Sequence, residues 1–384
     1  MKIPVNFLLL VVTASLVAET VRAAEKTTPR VVGYFAEWTD YAADQIPADK
    51  LTHINYAFGV IKNGECSIQN EEKALKKFAG LRELKQKHPN VKTLVSVGGW
   101  TDSGPFSDAA LTPESRAKFA KSCADFVTRH GFDGVDIDWE YPGGGGMDKT
   151  KGRPDDTKNF TSLLTELRAQ LDAIGKTGGK HYLLTIAAPA GGASSRIELA
   201  KIAQILDFIN LMTYDFAGEW SKTTAFNSPL FAAKDDPNPR ENTASSVETY
   251  LKAGVPPQKL CVGVPFYGRA WSGVKDVNRG LFQPHHGKPP RAPGTYGDWS
   301  YRGLAANVID KSGNKRFWND DAKVPWLFNA DTGLFVSYDD TQSIRGKAEY
   351  VRDHHLGGVM IWELSEDDEQ SSMLNAIHQA LESK

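Results

Sequence analysis

Between Gly131 and Pro142 the chain reads Gly-Phe-Asp-Gly-Val-Asp-Ile-Asp-Trp-Glu-Tyr-Pro, and Asp136, Asp138 and Glu140 alternate there with Val135, Ile137 and Trp139. On a β-strand, residues two apart share a face and stand about 6–7 Å from one another. Three carboxyls therefore point one way and three apolar side chains the other. Like charges so placed repel, and each raises the others' pKa values. Such a row costs stability, and its natural use is a site that needs a protonated carboxylic acid near neutral pH. The flanking Trp139 and Tyr141 suit a sugar or another ring ligand better than bulk water.

A row of this kind needs a rigid frame. From Arg30 onward short β-rich runs alternate with amphipathic helical stretches. The runs are 31–35, 52–58, 92–97, 134–139, 182–187, 208–212, 259–264 and 358–362, eight in all. Helical patterns are clearest at 114–130, introduced by Thr112-Pro113 and stopped by Gly131, and at 158–172, where Phe160, Leu163, Leu164, Leu167 and Leu171 form one stripe before Gly175. Eight strand-then-helix units predict a closed parallel (β/α)8 TIM barrel in the α/β class. A doubly wound open sheet fits less well, because no Gly-rich phosphate turn follows the first strand. The strands run into Tyr-Phe-Ala-Glu-Trp, Tyr-Ala-Phe-Gly, Gly-Gly-Trp, Asp-Trp-Glu-Tyr, Met-Thr-Tyr-Asp and Ile-Trp-Glu, so polar and aromatic residues gather at the face where barrels build active sites.

The connection after the seventh strand, from about Tyr267 to Ser343, is too long for a plain loop. It holds two β-rich runs, 324–328 and 334–338, around Asn329-Ala330-Asp331-Thr332-Gly333, which predicts a hairpin. Residues 268–340 thus read as a small α+β insertion domain within a barrel domain spanning 24–384, with Trp299, Trp318 and Trp326 packing it. Residues 1–23 read as a secretory signal peptide: Lys2, an apolar run from Phe7 to Val17, and cleavage after Ala23. That run is too short to span a membrane, so the expectation is a secreted, soluble monomer.

The bulk properties narrow the partners. The 384 residues carry a formal charge of −2 without a basic stripe, which disfavours nucleic acid. Cys66, Cys123 and Cys261 allow at most one internal disulfide and lack zinc-site spacing. His53, His354 and His355 offer no third ligand of suitable spacing, so no metal and no cofactor is expected. Asn159-Phe160-Thr161 is a glycosylation sequon.

With these residues assembled, the chain resembles the family 18 glycoside hydrolases, the chitinases, over essentially all of its length after residue 23. The family signature DxxDxDxE is complete as Asp133, Asp136, Asp138 and Glu140. Ser96-Val97-Gly98-Gly99-Trp100, Met212-Thr213-Tyr214-Asp215, Tyr267-Gly268-Arg269, Ser337-Tyr338-Asp339-Asp340 and Gly357 to Glu363 resemble further family segments. The resemblance implies retaining hydrolysis assisted by the substrate's own 2-acetamido group, an exception to the two-carboxylate scheme. Glu140 would be the general acid and base, Asp138 would hold the acetamido N–H, and Asp136 would share a proton with Asp138. Tyr214 would donate to the acetamido oxygen, with Asp215 beside it and paired with Arg269. Trp362 would floor the site. Tyr34, Phe58, Gly98, Gly99, Trp100, Tyr141, Ala187, Met212, Thr213, Trp220 and Tyr267 complete the expected groove. Asp133, on the opposite pleat, is assigned to scaffolding.

The expected partner is chitin or a chitooligosaccharide. Three other functions stand beside that one: a non-catalytic chitin-binding lectin, an endo-β-N-acetylglucosaminidase acting on N-glycans, and a hydrolase using the three acids as ligands for Mg²⁺ or Mn²⁺. The first typically lacks the acid at position 140, and the third needs neighbouring strand residues to converge on one ion.

Overall fold

The computed structural model describes residues 28–148, 150–290 and 299–383. The segment expected to be a signal peptide lies outside these. Thirteen strands are described: β1 Arg30–Ala36, β2 His53–Lys62, β3 Glu65–Ile68, β4 Lys92–Gly98, β5 Gly134–Asp138, β6 Leu183–Pro189, β7 Phe208–Met212, β8 Leu260–Pro265, β9 Arg269–Trp271, β10 Lys315–Asn319, β11 Val324–Asn329, β12 Leu334–Ser337 and β13 Gly358–Trp362. The helices are α1 Glu71–Lys87, α2 Phe106–Ala109, α3 Pro113–His130, α4 Asp156–Gly178, α5 Leu199–Ile205, α6 Thr243–Lys252, α7 Tyr301–Asn307, α8 Thr341–Asp353 and α9 Ser372–Glu382.

Strands β1, β2, β4, β5, β6, β7, β8 and β13 pair in parallel, and β1 bonds both β2 and β13, which closes the barrel. All eight expected strands are in it. The short β3 adds antiparallel to β2. The pleat divides each barrel strand as the alternation requires. Val135 and Ile137 of β5 face the helices and join a shell with Phe119, Val127, Leu163 and Leu167. Val32, Tyr34, Ala57, Ala187, Phe208, Met212, Cys261 and Met360 fill the interior. Burying such side chains contributes roughly 1.5–3 kcal/mol each.

Local chemistry sets the helix ends. The Thr112 hydroxyl accepts from Ser115 N at 3.1 Å, and Gly131 closes α3 in the left-handed region at φ 77°. The second helix corrects the sequence reading: α4 runs through Gly175 and stops at Gly179, φ 62°. Gly175 serves a close approach instead, because a Cβ there would collide with the Lys180 carbonyl.

Between β8 and α8 the chain forms a second, antiparallel sheet in the order β10-β11-β12-β9, including the expected hairpin of β11 and β12. Trp271, Trp326, Phe328 and Phe335 pack one face of it, and Trp299, Leu327 and Val336 the other. The cysteines are free; burial first, and then the neighbouring Cys66, raise the pKa of the buried Cys123 thiol well above its ordinary value.

Candidate active site

Strand β5 aims Asp136 and Asp138 into the barrel, and Glu140 follows just beyond its end. Ser103 stitches this end to β4. Its hydroxyl accepts from Glu140 N at 2.8 Å and lies 2.8 Å from Gly99 O and 3.1 Å from Asp138 O. Gly99 N donates to Asp138 O at 2.9 Å. The approach demands glycine. Gly98 and Gly99 have φ 114° and 84°, and a Cβ on Gly99 would stand 2.6 Å from the Phe58 ring. Gly98 thus admits the Asp138 carbonyl, with which a Cβ would collide, and Gly99 admits the Phe58 ring.

The three acids occupy different environments. Asp136 is fully buried and accepts four hydrogen bonds, from Tyr34 Oη at 2.7 Å, Ser96 Oγ at 2.7 Å, Thr185 Oγ1 at 2.5 Å and Asn210 Nδ2 at 3.3 Å. Burial raises its pKa and those donors pull it back. Asp138 has no such cage, and its Oδ1 is buried without a partner. Burial, then the charges of Glu140 and Asp136, raise its pKa well above its ordinary value. Burial raises Glu140 from 4.5 to about 7; a hydrogen bond with the Tyr141 side chain opposes the shift and the Asp215 charge adds to it. Asp136 and Asp138 make no hydrogen bond to each other, because the Asp136 oxygens are taken by the four donors.

Strand β7 delivers the other half. Asp215 sits in the left-handed region at φ 57°, its N–H held by Asn227 Oδ1 at 3.0 Å. Its Oδ1 accepts from Tyr267 Oη at 2.7 Å and from Arg269 Nε at 2.8 Å and Nη2 at 2.6 Å. Among the described residues the Tyr214 hydroxyl reaches only the weak acceptor Met360 Sδ, at 3.7 Å. Burial and the nearby Asp138, Asp215 and Glu140 raise the Tyr214 pKa well above its ordinary value, so it stays a donor. Behind this turn, Ser228 Oγ donates to Thr213 O at 2.6 Å, and Lys347 Nζ donates to Ser228 Oγ at 2.8 Å while pairing with Asp339 at 2.7 Å.

Aromatic side chains surround the acids. Trp362 meets Tyr34 at 5.2 Å and Phe58 at 5.6 Å between ring centroids. Trp38 continues this stack, 6.0 Å from Phe58 and 6.2 Å from Trp362. Trp38, Trp100 and Trp220 are 49%, 50% and 57% exposed, which marks them as open faces and not core. Arg269 lies over Trp220 at 4.9 Å and over Tyr267 at 5.2 Å. Ala187 and Met212 line the interior below.

Three sequence readings are corrected here. Tyr34, 1% exposed, stands behind the groove, bound to Asp136. Thr213, 0% exposed, spends its hydroxyl on Gly263 O at 2.6 Å. Trp139 faces away from any ligand, stacked on Phe106 at 5.4 Å and edge-on to Phe160. Sequence reasoning also missed residues: Ser103, Asn227 and Lys347, for which no motif gave a signal, and Trp38, whose place at the end of the first strand was the available one. Asp133 lies away from the other acids, bound by Lys85 at 2.6 Å, Lys180 at 2.7 Å and Thr93 N at 2.8 Å. Among the described residues no group of three His, Cys, Asp or Glu side chains is arranged to hold a metal ion.

Comparison with known proteins agrees with this geometry. The chain is 41% identical to Chitinase A1 of Niallia circulans, over 94% of its own length and 60% of that protein's, so it spans about three fifths of that relative. It is 36% identical to mouse Chitotriosidase-1, covering 90% of this chain and 75% of that one. The solved structure of Chitinase ChiA74 from Bacillus thuringiensis superposes with a TM-score of 0.86 at 37% identity, over 92% of this chain and 70% of that one. Residues 30–367 match the model of the glycosyl hydrolases family 18, and the chain belongs to that family.

Proposed function

We propose that this protein is a secreted chitinase that hydrolyses β-1,4 bonds between N-acetylglucosamine units with retention, using the substrate's acetamido group as nucleophile. The observation that carries the reading is a pair of unspent polar groups between β5 and β7. Asp138 Oδ1 is a buried acceptor without a donor, and Tyr214 Oη a donor with only a thioether opposite. An acetamido group offers the complement of both, an N–H and a C=O. Held between them, its oxygen is oriented for attack on the adjacent anomeric carbon. Glu140, protonated up to about pH 7, donates its proton to the leaving glycosidic oxygen as that bond breaks and the oxazolinium ion forms. The resulting Glu140 carboxylate takes a proton from the water that reopens the ring. Asp138 accepts the acetamido N–H and stabilises the positive charge, while Asp136, caged by four donors, stays fixed beneath it.

Trp362 supplies the apolar floor, and Phe58, Trp100, Tyr141, Met212, Trp220 and Tyr267 the walls, with sugar C–H faces stacking on the rings. Asp215, fixed by Tyr267 and Arg269, binds substrate hydroxyls. The insertion walls the groove through Arg269, which pairs with Asp215 and lies over Trp220. Residues 1–23 direct export; no helix among the described residues is long and apolar enough to cross a membrane.

The test compares N-acetylchitohexaose with its fully de-N-acetylated counterpart, following product sizes and anomers at early times. The reading expects turnover of the acetylated chain alone, with β-anomers first. Equal turnover of both chains refutes it.

A further inference from the structure

The loop that follows β1 carries the exposed Trp38, and it is tied down by a side chain from α1. Glu37 N bonds Ala57 O at 2.7 Å, and the Glu37 carboxylate accepts from Tyr56 Oη, so the start of the loop is fixed to β2. From there the chain turns through Trp38, Thr39 and Asp40 to Tyr41. Lys77 Nζ donates to three carbonyls of this turn: Ala36 O at 3.0 Å and Thr39 O at 3.0 Å on either side of Trp38, and Tyr41 O at 2.6 Å. The ammonium also lies 4.3 Å from the centre of the Phe35 ring. Its three donors are thereby used, and the two backbone ends flanking Trp38 are drawn to one point.

Resting on the functional reading above, we propose that Lys77 is a positioning residue that sets substrate-length preference. It clamps the 36–41 turn so that Trp38 extends the Trp362–Phe58 stack by one further sugar platform. Lys77 touches no substrate. A sugar lying on Trp362 leaves the adjoining Trp38 face, 6.2 Å away, for the next unit of the polymer, so only longer chains gain from the clamp.

The clamp depends on charge. Burial lowers the Lys77 pKa to about 8; Glu363 at the end of β13, and Asp40 and Glu37 in the loop, offset part of that effect, and Lys73 on α1 adds to it. Folded Lys77 thus loses its proton below the ordinary lysine range, and one of the three donors goes with it. Stacking on Trp38 weakens as pH rises through about 8.

The test uses Lys77→Met, which keeps the stem without the charge, and Trp38→Ala in the full chain. KM and kcat are measured on N-acetylchitohexaose and on a short chromogenic disaccharide, with a urea unfolding curve for each variant to confirm folding. Both variants are expected to raise KM for the hexamer about tenfold and change the disaccharide less than threefold, with kcat kept. The double variant should be no worse than Trp38→Ala alone. The hexamer KM of wild type should rise above pH 8 and that of Lys77→Met should not. Equal losses on both substrates, a fall in kcat alone, or losses that add in the double variant overturn the proposal. Wild type that fails to cleave the hexamer overturns the functional reading instead.

Discussion

Glu140→Gln removes one proton-binding group and preserves the shape of the site, so it separates chemistry from stability. In wild type, burial holds this carboxyl at about 7, against 4.5 when free. A raised pKa in the folded state means its contribution to stability is fully present below pH 4.5 and is lost as pH rises through about 7. At about 1.4 kcal/mol per pH unit, the ionised side chain costs the fold roughly 3 kcal/mol by pH 8. The variant does not titrate there. It should match wild type near pH 4.5 and be more stable by roughly 3 kcal/mol at pH 8. Losing the charge also relieves Asp138, which Glu140 otherwise opposes. Turnover of N-acetylchitohexaose should fall by about 10²–10⁴-fold, the usual worth of a general acid. Urea unfolding at pH 4.5, 6 and 8, with initial rates on the hexamer, reads both effects. A stability difference that does not grow across that pH range refutes the argument from burial, and substantial residual turnover refutes the assigned acid.

Tyr214→Phe should lower the rate on acetylated substrate by about 1–3 kcal/mol, the loss of one hydrogen bond in the site, and an unchanged rate removes Tyr214 from the chemistry. Lys347→Met strands the Asp339 charge beneath the Thr213 turn and should cost about 3–5 kcal/mol in urea unfolding, most of it recovered when Asp339→Leu is added. A single variant as stable as wild type would show that the pair is not holding this region. Treatment with a chelator should leave turnover unchanged; lost activity that Mg²⁺ or Mn²⁺ restores would revive a metal role for the acids.

The barrel was legible because each of its strands is a short β-rich run that ends in polar or aromatic residues, and that pattern survives without tertiary information. The acid row was legible for the same reason, since period two puts Asp136 and Asp138 on one face whatever surrounds them. Their different proton affinities were not. The donors on Asp136 come from four separate strands, β1, β4, β6 and β7, and only barrel closure brings Tyr34, Ser96, Thr185 and Asn210 together. Depth was hidden as well. Tyr34 and Thr213 stand near strand ends like true groove residues, yet Tyr34 reaches across the barrel interior to Asp136 of β5, and Thr213 turns onto Gly263 O of the adjacent β8. Trp38 failed in the opposite direction, because the turn that carries it is bonded by Lys77, 39 residues further on, and not by anything beside it in sequence. Gly175 misled because a glycine that admits a neighbouring backbone looks, in sequence, like one that ends a helix.

Asp133 gives the molecule a lower boundary to set against its upper one. Burial alone would raise its pKa, but Lys180, Lys85 and the Thr93 N–H outweigh burial and hold it below the ordinary value of 3.8. The brace they form is intact above that value and is surrendered as acidity increases past it. Glu140, seven residues on, fails in the other direction, at neutrality. One short stretch of chain thus carries two carboxyls shifted in opposite directions, one bracing the fold and one placed for chemistry. Editing Lys85 or Lys180 releases the Asp133 shift without touching the reacting groups.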